Sequence, residues 1–269
     1  MLVTHSIIYF TTFIVSYYLS YCDVYRFINL IILGWSLLGL TSIGHEIYHL
    51  EHNDSILFKI LGFICLDLWS VPRHIWILRH NKWHHYHPWD ENEDEHMIKG
   101  SILTNFINTI IVLTKTYRLL EPSWVNILLM LFRIVFFSQI SYYAIFVVYT
   151  TLTLCTTYLT FISHAAPVII KNDPPKLKQI HRSVDIFPGN YIWALITGGF
   201  NMHTAHHLKP DITRNGLYNI HTKYKKQYPD DYRTIDSFNE LFRLVIYCYV
   251  EFESPNEWNE KIKINNKNK

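Results

Sequence analysis

The chain has few cysteines and almost no net charge, and each shortage excludes a class of protein. Four cysteines in 269 residues, widely separated along the chain, are too few for a disulfide scaffold or a cysteine-rich zinc module. With 24 Lys and Arg against 22 Asp and Glu, the formal net charge is +2. That balance argues against a nucleic-acid-binding protein, which normally carries a strongly basic face. Histidine is plentiful by contrast, with 16 residues.

Charged residues are also missing from two long segments. Residues 1–43 and 122–170 contain only three, Asp23, Arg26 and Arg133. The apolar runs within these segments are 6–22, 27–43 and the longer 124–163. A membrane span needs about 20 apolar residues, so these runs predict four spans in two hairpins. We expect Arg133 to lie near the turn at 138–141, because a cation at mid-bilayer is costly.

The distribution of the cations predicts a topology. All but two of the 24 Lys and Arg residues lie either in residues 44–121 or after His164. The positive-inside tendency then places both stretches, and both termini, in the cytosol. The first apolar run has no basic residue before it and no small-residue cleavage site after it, so we interpret it as a span and not as a removed signal peptide. Segment 56–71 carries Lys59 and Asp67 and predicts a helix at the membrane interface or under the cytosolic cap.

Together these patterns predict an all-α integral membrane protein, with four transmembrane helices in two hairpins and a cytosolic helical cap. Residues 1–258 are expected to form a single domain, and the Asn- and Lys-rich residues 259–269 a disordered tail. The expected membrane is the endoplasmic reticulum for a eukaryotic or viral chain and the plasma membrane for a bacterial one.

Nine histidines are candidate metal ligands. His45 and His49 stand one helical turn apart, as do His80 and His84, so each pair shares one helix face. The full set is His45, His49, His80, His84, His85, His164, His203, His206 and His207. Imidazole is the commonest metal ligand, and eight or nine nitrogens exceed what one ion accepts. The set therefore predicts two ions, and all-nitrogen ligation favours iron, copper or zinc over magnesium or calcium.

Two other interpretations use the same residues. The stretch from His45 to His49 also reads as HExxH, the zinc-protease signature in which the glutamate, here Glu46, is a general base. That interpretation leaves the other two histidine clusters without a role, so Glu46 is expected instead to orient an imidazole. A multipass metal transporter would need ligands at bilayer depth, whereas the predicted spans carry almost no ionisable groups.

The three histidine boxes together resemble those of the membrane fatty acid desaturases and their hydroxylase and ketolase relatives. Residues 198–210, Gly-Gly-Phe-Asn-Met-His-Thr-Ala-His-His-Leu-Lys-Pro, are similar to the family's Gly-Gly-x-Asn-x-His/Gln-x2-His-His-Leu-x-Pro signature. Residues 79–85, Arg-His-Asn-Lys-Trp-His-His, are similar to its second box. The resemblance covers residues 30–225, and the spacing between the boxes fits as well.

This resemblance implies four spans, a cytosolic cap and a non-haem di-iron centre held mainly by the nine histidines, with His164 as the ninth by position. It also implies O2 as co-substrate and a lipid or acyl substrate. Thr160 stands where some relatives have an asparagine that approaches the metal through water. The chain lacks a haem-binding His-Pro-Gly-Gly segment, a nucleotide-binding glycine-rich turn and a ferredoxin-like cysteine cluster. An external electron donor of the cytochrome b5 or ferredoxin type is therefore implied.

A desaturase is the leading interpretation, because removing hydrogen from an unactivated methylene needs a metal that activates O2. A hydroxylase or ketolase acting on a fatty acid, sphingoid base, alkane or carotenoid is the alternative. The side chains expected to support the ligands are Glu46, Asp185, Asn201 and Thr160, whereas Asp90, Asp94 and Glu95 are either further candidates or solvated residues of the cap. Ordinary cap or surface roles are expected for the remaining histidines, such as His52, His74, His87, His96, His181 and His221.

Overall fold

The computed structural model describes residues 2–50, 55–86, 124–164 and 174–246. These residues are mostly helical, as the sequence predicts. The helices are α1 (Leu2–Tyr21), α2 (Arg26–His49), α3 (Ile56–Gly62), α4 (Arg73–Trp76), α5 (Trp124–Ser138), α6 (Ala144–Ser163), α7 (Pro175–His181), α8 (Tyr191–Ile196), α9 (His203–Leu208), α10 (Arg214–Gln227) and α11 (Phe238–Ile246). π-Helical turns extend α3 through Phe63–Asp67 and α4 through Ile77–His84. Two short strands are β1 (Asp185–Ile186) and β2 (Thr234–Ile235).

Helices α1 and α2 form a close hairpin. In the turn between them, Asp23 and Tyr25 take the left-handed backbone conformation, with φ of 63° and 42°, and Asp23 binds Arg26 at 3.2 Å. A Cβ atom on Gly39 would lie 2.1 Å from the ring of Tyr9, so the glycine permits the close approach of the two helices. Helix α1 thus packs closely along α2, and the last turn of α2 carries the first histidine box.

Arg133 lies inside α5, more than one turn before that helix ends at Ser138, and not at the following turn where the sequence suggested it. Its buried guanidinium donates to the carbonyl oxygens of Asp67 at 2.7 Å and of Leu68 and Ser70 at 2.8 Å each. Carbonyl groups at the end of a helix have no partner within it. Arg133 supplies that partner to the segment after α3, which offsets the cost of burying the cation.

The segment that follows the first histidine box folds as a helix, as its spacing predicts. Its regular turns end at Asp67, whose carboxylate accepts a hydrogen bond of 2.5 Å from the hydroxyl of Tyr48. In the first turns of the segment, Ile56, Leu57 and Ile60 are exposed. The segment therefore packs against the end of α2 with its polar residue and presents apolar side chains outward.

Among the described residues, α2 is the helix that is long and apolar enough to cross a membrane. The core helix of a soluble protein and a signal sequence pass the same test, and α2 is mostly buried and near the N-terminus. Helices α1 and α6 have 20 residues each, and α5 has 15. The four-span arrangement thus stays a prediction.

The cap contains α7 to α11 and the strand pair. β1 and β2 are parallel, with Asp185 opposite Thr234 and Ile186 opposite Ile235. The sequence prediction did not include this pair, because strands of two residues leave no alternating pattern. The predicted tail at 259–269 lies outside the described residues, and the single domain over 1–258 stays a prediction.

Candidate metal centre

Four separate helical segments bring the nine candidate histidines into one buried cluster. The end of α2 supplies the first box, the π-helical end of α4 and the residue after it supply the second, and α9 supplies the third. His164 directly follows α6. Because residues four apart on an α-helix share a face, His45 and His49 point to one side of α2, and His203 and His207 to one side of α9. The sequence spacing thus places the rings, and the tertiary fold joins them.

Eight of the nine imidazoles form two groups of four, which we call the first group and the second group. The first group contains His45, His49, His80 and His206, and the second contains His84, His164, His203 and His207. Within each group, one ligand nitrogen from each ring lies within 4.8 Å of all the others. Both groups draw on α9 and on the extension of α4, so the two sites share their supporting helices.

His85 lies between the two groups. Its Nε2 atom is 3.0 Å from Nε2 of His80, and its ring centroid is 4.7 Å from that of His49, both in the first group. Its ring centroid is also 4.6 Å from that of His207 in the second group. His85 is therefore placed to serve either group.

The nitrogen atoms of the cluster are arranged to bind a metal and are not all satisfied by hydrogen bonds to one another. Nε2 of His45 and Nε2 of His80 are 2.7 Å apart, and those of His164 and His203 are 2.8 Å apart. Within the described part of the chain, Nε2 of His206 is buried and has no hydrogen-bond partner. A buried polar atom without a partner is costly, and converging nitrogen lone pairs suit iron, copper or zinc. The residues present thus fit a two-metal centre.

The electrostatics of the cluster favour neutral imidazoles. Burial, reinforced by neighbouring histidines, holds the pKa values of His80, His85, His203 and His207 well below their usual range. Burial also lowers the pKa of His206 to about 3. Only the neutral imidazole binds a metal, so these five imidazoles are in their ligating form at neutral pH.

Two hydrogen bonds orient rings of the second group. Nδ1 of His164 donates to the backbone carbonyl of Arg182 at 2.7 Å, and Nδ1 of His207 donates to Oε1 of Gln179 at 2.8 Å. The side-chain amide of Gln179 donates in turn to the carbonyl of His85 at 2.5 Å. A proton held on Nδ1 leaves Nε2 free for a metal. Sequence reasoning did not identify Gln179, because a glutamine outside the boxes carries no recognisable spacing.

Asp185 supports the third box through its backbone and not through an imidazole of the box. Its Oδ1 accepts hydrogen bonds from the backbone N–H of Thr204 at 2.7 Å and of Ala205 at 3.4 Å. Its Oδ2 accepts from Nδ1 of His221 and from the hydroxyl of Tyr232, both at 2.7 Å. The carboxylate thus accepts hydrogen bonds from the first N–H groups of α9, which have no partner within the helix. Since α9 carries the histidines of the third box, Asp185 helps to hold those ligands in place.

Glu46 and Asn201, which were also expected to support the ligands, form contacts with residues other than the nine histidines. The carboxylate of Glu46 contacts Arg214 and forms a buried ion pair with it at 2.5 Å. The side chain of Asn201 donates to the carbonyl of Phe187 at 3.2 Å. The side chain of Thr160, together with Asp90, Asp94 and Glu95, lies outside the described residues.

Other histidines lie away from the centre. His181 contacts Asp231 at 3.1 Å, His221 contacts Asp185, and His74 is exposed. His52, His87 and His96 fall outside the described residues.

Comparison with known proteins supports the arrangement of boxes. A family model described as fatty acid desaturase matches residues 26–239, a range that contains all nine candidate histidines. Comparisons with curated proteins and with solved structures give no match.

Proposed function

The chain belongs to the fatty acid desaturase family, and we propose that it is an O2-dependent lipid desaturase with two irons held by nine histidines. The observation that carries the proposal is the pair of four-histidine groups, one on each side of His85. When bound there, two irons would supply the O2 activation needed to remove hydrogen from an unactivated methylene. The electrons would come from an external donor of the cytochrome b5 or ferredoxin type.

The protein side chains would orient the metal ligands and exclude water from the site. The first and second groups would each hold one iron, with His85 as the ninth ligand. A small cavity beside them is lined by Phe200, Ile212 and Leu217, by three of the histidines, and by the polar side chains of Ser42, Glu46 and Arg214. Phe200 also lines a second cavity, together with Tyr158 and Trp193. The apolar side chains among these would help to exclude water from the metal centre.

Exposed apolar side chains support a membrane location. Large apolar residues point outward from all four long helices, including Ile7, Ile14, Phe27, Ile28, Leu128, Leu131, Val135 and Phe146. Extended apolar surface of this kind marks contact with a membrane or another protein. We assign α1, α2, α5 and α6 as the four spans, with the cap in the cytosol. The membrane is the endoplasmic reticulum in a eukaryotic or viral setting and the plasma membrane in a bacterium.

Lipid analysis of cells that express the chain tests the activity. In a host that lacks the reaction, the wild-type chain is expected to produce lipids that have lost two hydrogens, as detected by mass spectrometry. The His85→Ala variant is expected to produce none, whereas His74→Ala, an exposed histidine away from the centre, should match the wild type. Unchanged lipids with the wild-type chain, or full product with His85→Ala, would contradict the proposal.

The same experiment separates the alternative within the family. Desaturation and hydroxylation share the first hydrogen abstraction, so a gain of oxygen in the product would identify a hydroxylase or ketolase. The HExxH protease interpretation is disfavoured because Glu46 is paired with Arg214. A metal transporter is disfavoured because the histidines gather at helix ends.

A further inference from the structure

Glu46 and Arg214 form an ion pair that is almost completely buried. Their side chains are 9% and 4% exposed. Oε2 of Glu46 accepts from Nε of Arg214 at 2.5 Å, and Oε1 accepts from the Arg214 backbone N–H at 3.0 Å. Nη2 of Arg214 also donates to the carbonyl and the hydroxyl of Ser42, at 3.3 and 3.2 Å. One arginine therefore makes four hydrogen bonds to a single turn of α2.

The backbone around the pair is shaped to admit it. Arg214 is the first residue of α10, and its guanidinium lies against Gly199, whose φ is +88°. A Cβ atom at Gly199 would lie 2.7 Å from Nη1 of Arg214, closer than a side chain allows. The second glycine of the signature at 198–210 thus takes a left-handed backbone conformation that favours glycine and also leaves room for the guanidinium.

The pair connects α2 to α10, and α2 together with α9, the neighbour of α10, supplies three of the four histidines of the first group. Glu46 directly follows His45 on α2, while His206 lies on α9. Helix α9 packs against α10, where Met202, Ala205 and Leu217 form a buried cluster. The pair therefore links α2 to the α9–α10 unit within one turn of the ligands His45 and His49.

We infer that Arg214 is a positioning residue that, through Glu46, sets the distance between the histidines of α2 and His206 and so completes the first group. This inference rests on the proposed function. A buried ion pair is weak evidence for stability, but its directional hydrogen bonds define a unique geometry. Metal ligands need such positioning, and loss of a supporting residue typically weakens metal binding by about 10- to 100-fold.

The second group supplies an internal reference, because its rings are oriented by Arg182 and Gln179 and not by this pair. Loss of the pair is therefore expected to weaken one of two metal sites. The test uses the purified full-length chain in detergent, titrated with Co2+ alone and followed by its visible absorption and by the number of ions bound.

The main variant is Glu46→Gln combined with Arg214→Gln, since either single change would leave an unpaired buried charge and endanger folding. We expect it to bind one Co2+ as the wild type does and the second about 10- to 100-fold more weakly. Arg214→Lys, which keeps the charge but not the forked hydrogen bonds, should recover part of the loss. The matched control is Arg26→Gln, which removes an arginine–carboxylate pair at the exposed hairpin turn and should leave both ions unchanged.

Thermal unfolding of the metal-free variants distinguishes positioning from simple stabilisation. Two Co2+ ions bound with wild-type affinity and spectrum would overturn the inference. Equal weakening of both ions together with a large drop in melting temperature would also overturn it, because the pair would then be merely structural. A wild-type chain that binds fewer than two ions would overturn the proposed two-metal centre itself, and with it the positioning role.

Discussion

The first histidine group is supported by a buried pair of charges, whereas the second is supported by uncharged hydrogen-bond acceptors. The charges are those of Glu46, which directly follows His45 on α2, and of its partner Arg214 on α10. The carbonyl of Arg182 and the amide oxygen of Gln179 accept hydrogen bonds directly from rings of the second group. Both groups contain four imidazoles, so their difference lies in how the ligands are held.

This difference suggests that the two groups fail in different ways. A charge pair that fixes the distance between helices loses its function when either partner is removed, because the other charge is left buried and unpaired. A neutral acceptor that orients one ring affects mainly that ring. Loss of the pair should therefore weaken the whole first group, and loss of a neutral acceptor should affect mainly the one ring of the second group that it orients.

Acidification is expected to have the largest effect, and it acts on both groups alike. The folded protein holds the pKa of His206 at about 3 and those of His203 and His207 well below the usual range. In the unfolded chain each would titrate near 6.5, so the stabilisation is complete above about pH 6.5 and is lost as the pH falls toward the lowered values. Each such histidine costs up to about 1.4 kcal/mol per pH unit once it is charged in the unfolded chain. Thermal unfolding of the metal-free protein between pH 7.5 and 5 should show a falling midpoint, and a midpoint that holds or rises would contradict the buried neutral cluster.

Removing the arginine alone should produce the largest loss among single substitutions. Arg214→Leu leaves the carboxylate of Glu46 buried without its cation, and such a change typically costs about 3–5 kcal/mol. Chemical denaturation of the purified protein measures it. Arg26→Leu is the control, because its pair with Asp23 is more exposed and should contribute at most about 1 kcal/mol. A similar small loss of stability for both variants would show that the Glu46–Arg214 pair contributes no more than an exposed ion pair.

Asp185 tests the element that the two groups share. Asp185→Asn keeps the shape but weakens the hydrogen bonds to α9, His221 and Tyr232, and bonds to a charged group are worth about 1.5–3 kcal/mol. We expect a stability loss in this range and weaker metal binding in both groups. The exposed Asp236→Asn is the matched control. A loss confined to one group would mean that Asp185 does not position α9 for both.

Gln179→Leu should give the smallest and most local effect. It removes the acceptor for His207 Nδ1, so metal affinity of the second group should fall by about 10-fold while the first group is unchanged. Metal titration of the purified chain measures it, with the exposed Gln227→Leu as control. Equal weakening of both groups would remove the distinction between them.

Much of the site could be predicted from the sequence, because ligand spacing on a helix is a local property. His45 and His49, or His203 and His207, share a face in any α-helix, and the structure brings all of them together. Contacts between distant segments carry no such local signal. The pairing of Glu46 with Arg214, the bond from Gln179 to His207 and the carbonyl partners of Arg133 each join residues far apart in the chain. The short β1–β2 pair was missed because two-residue strands leave no alternating pattern in the sequence.

Iron content of the purified wild-type chain tests the central claim most directly. The proposed centre requires about two irons per chain, and His84→Ala in the second group and His206→Ala in the first should each lose the iron of its own group together with the activity. The exposed His74→Ala should keep the wild-type iron. A wild-type chain without iron, or full iron and activity in His84→Ala or His206→Ala, would contradict a di-iron centre held by these two groups.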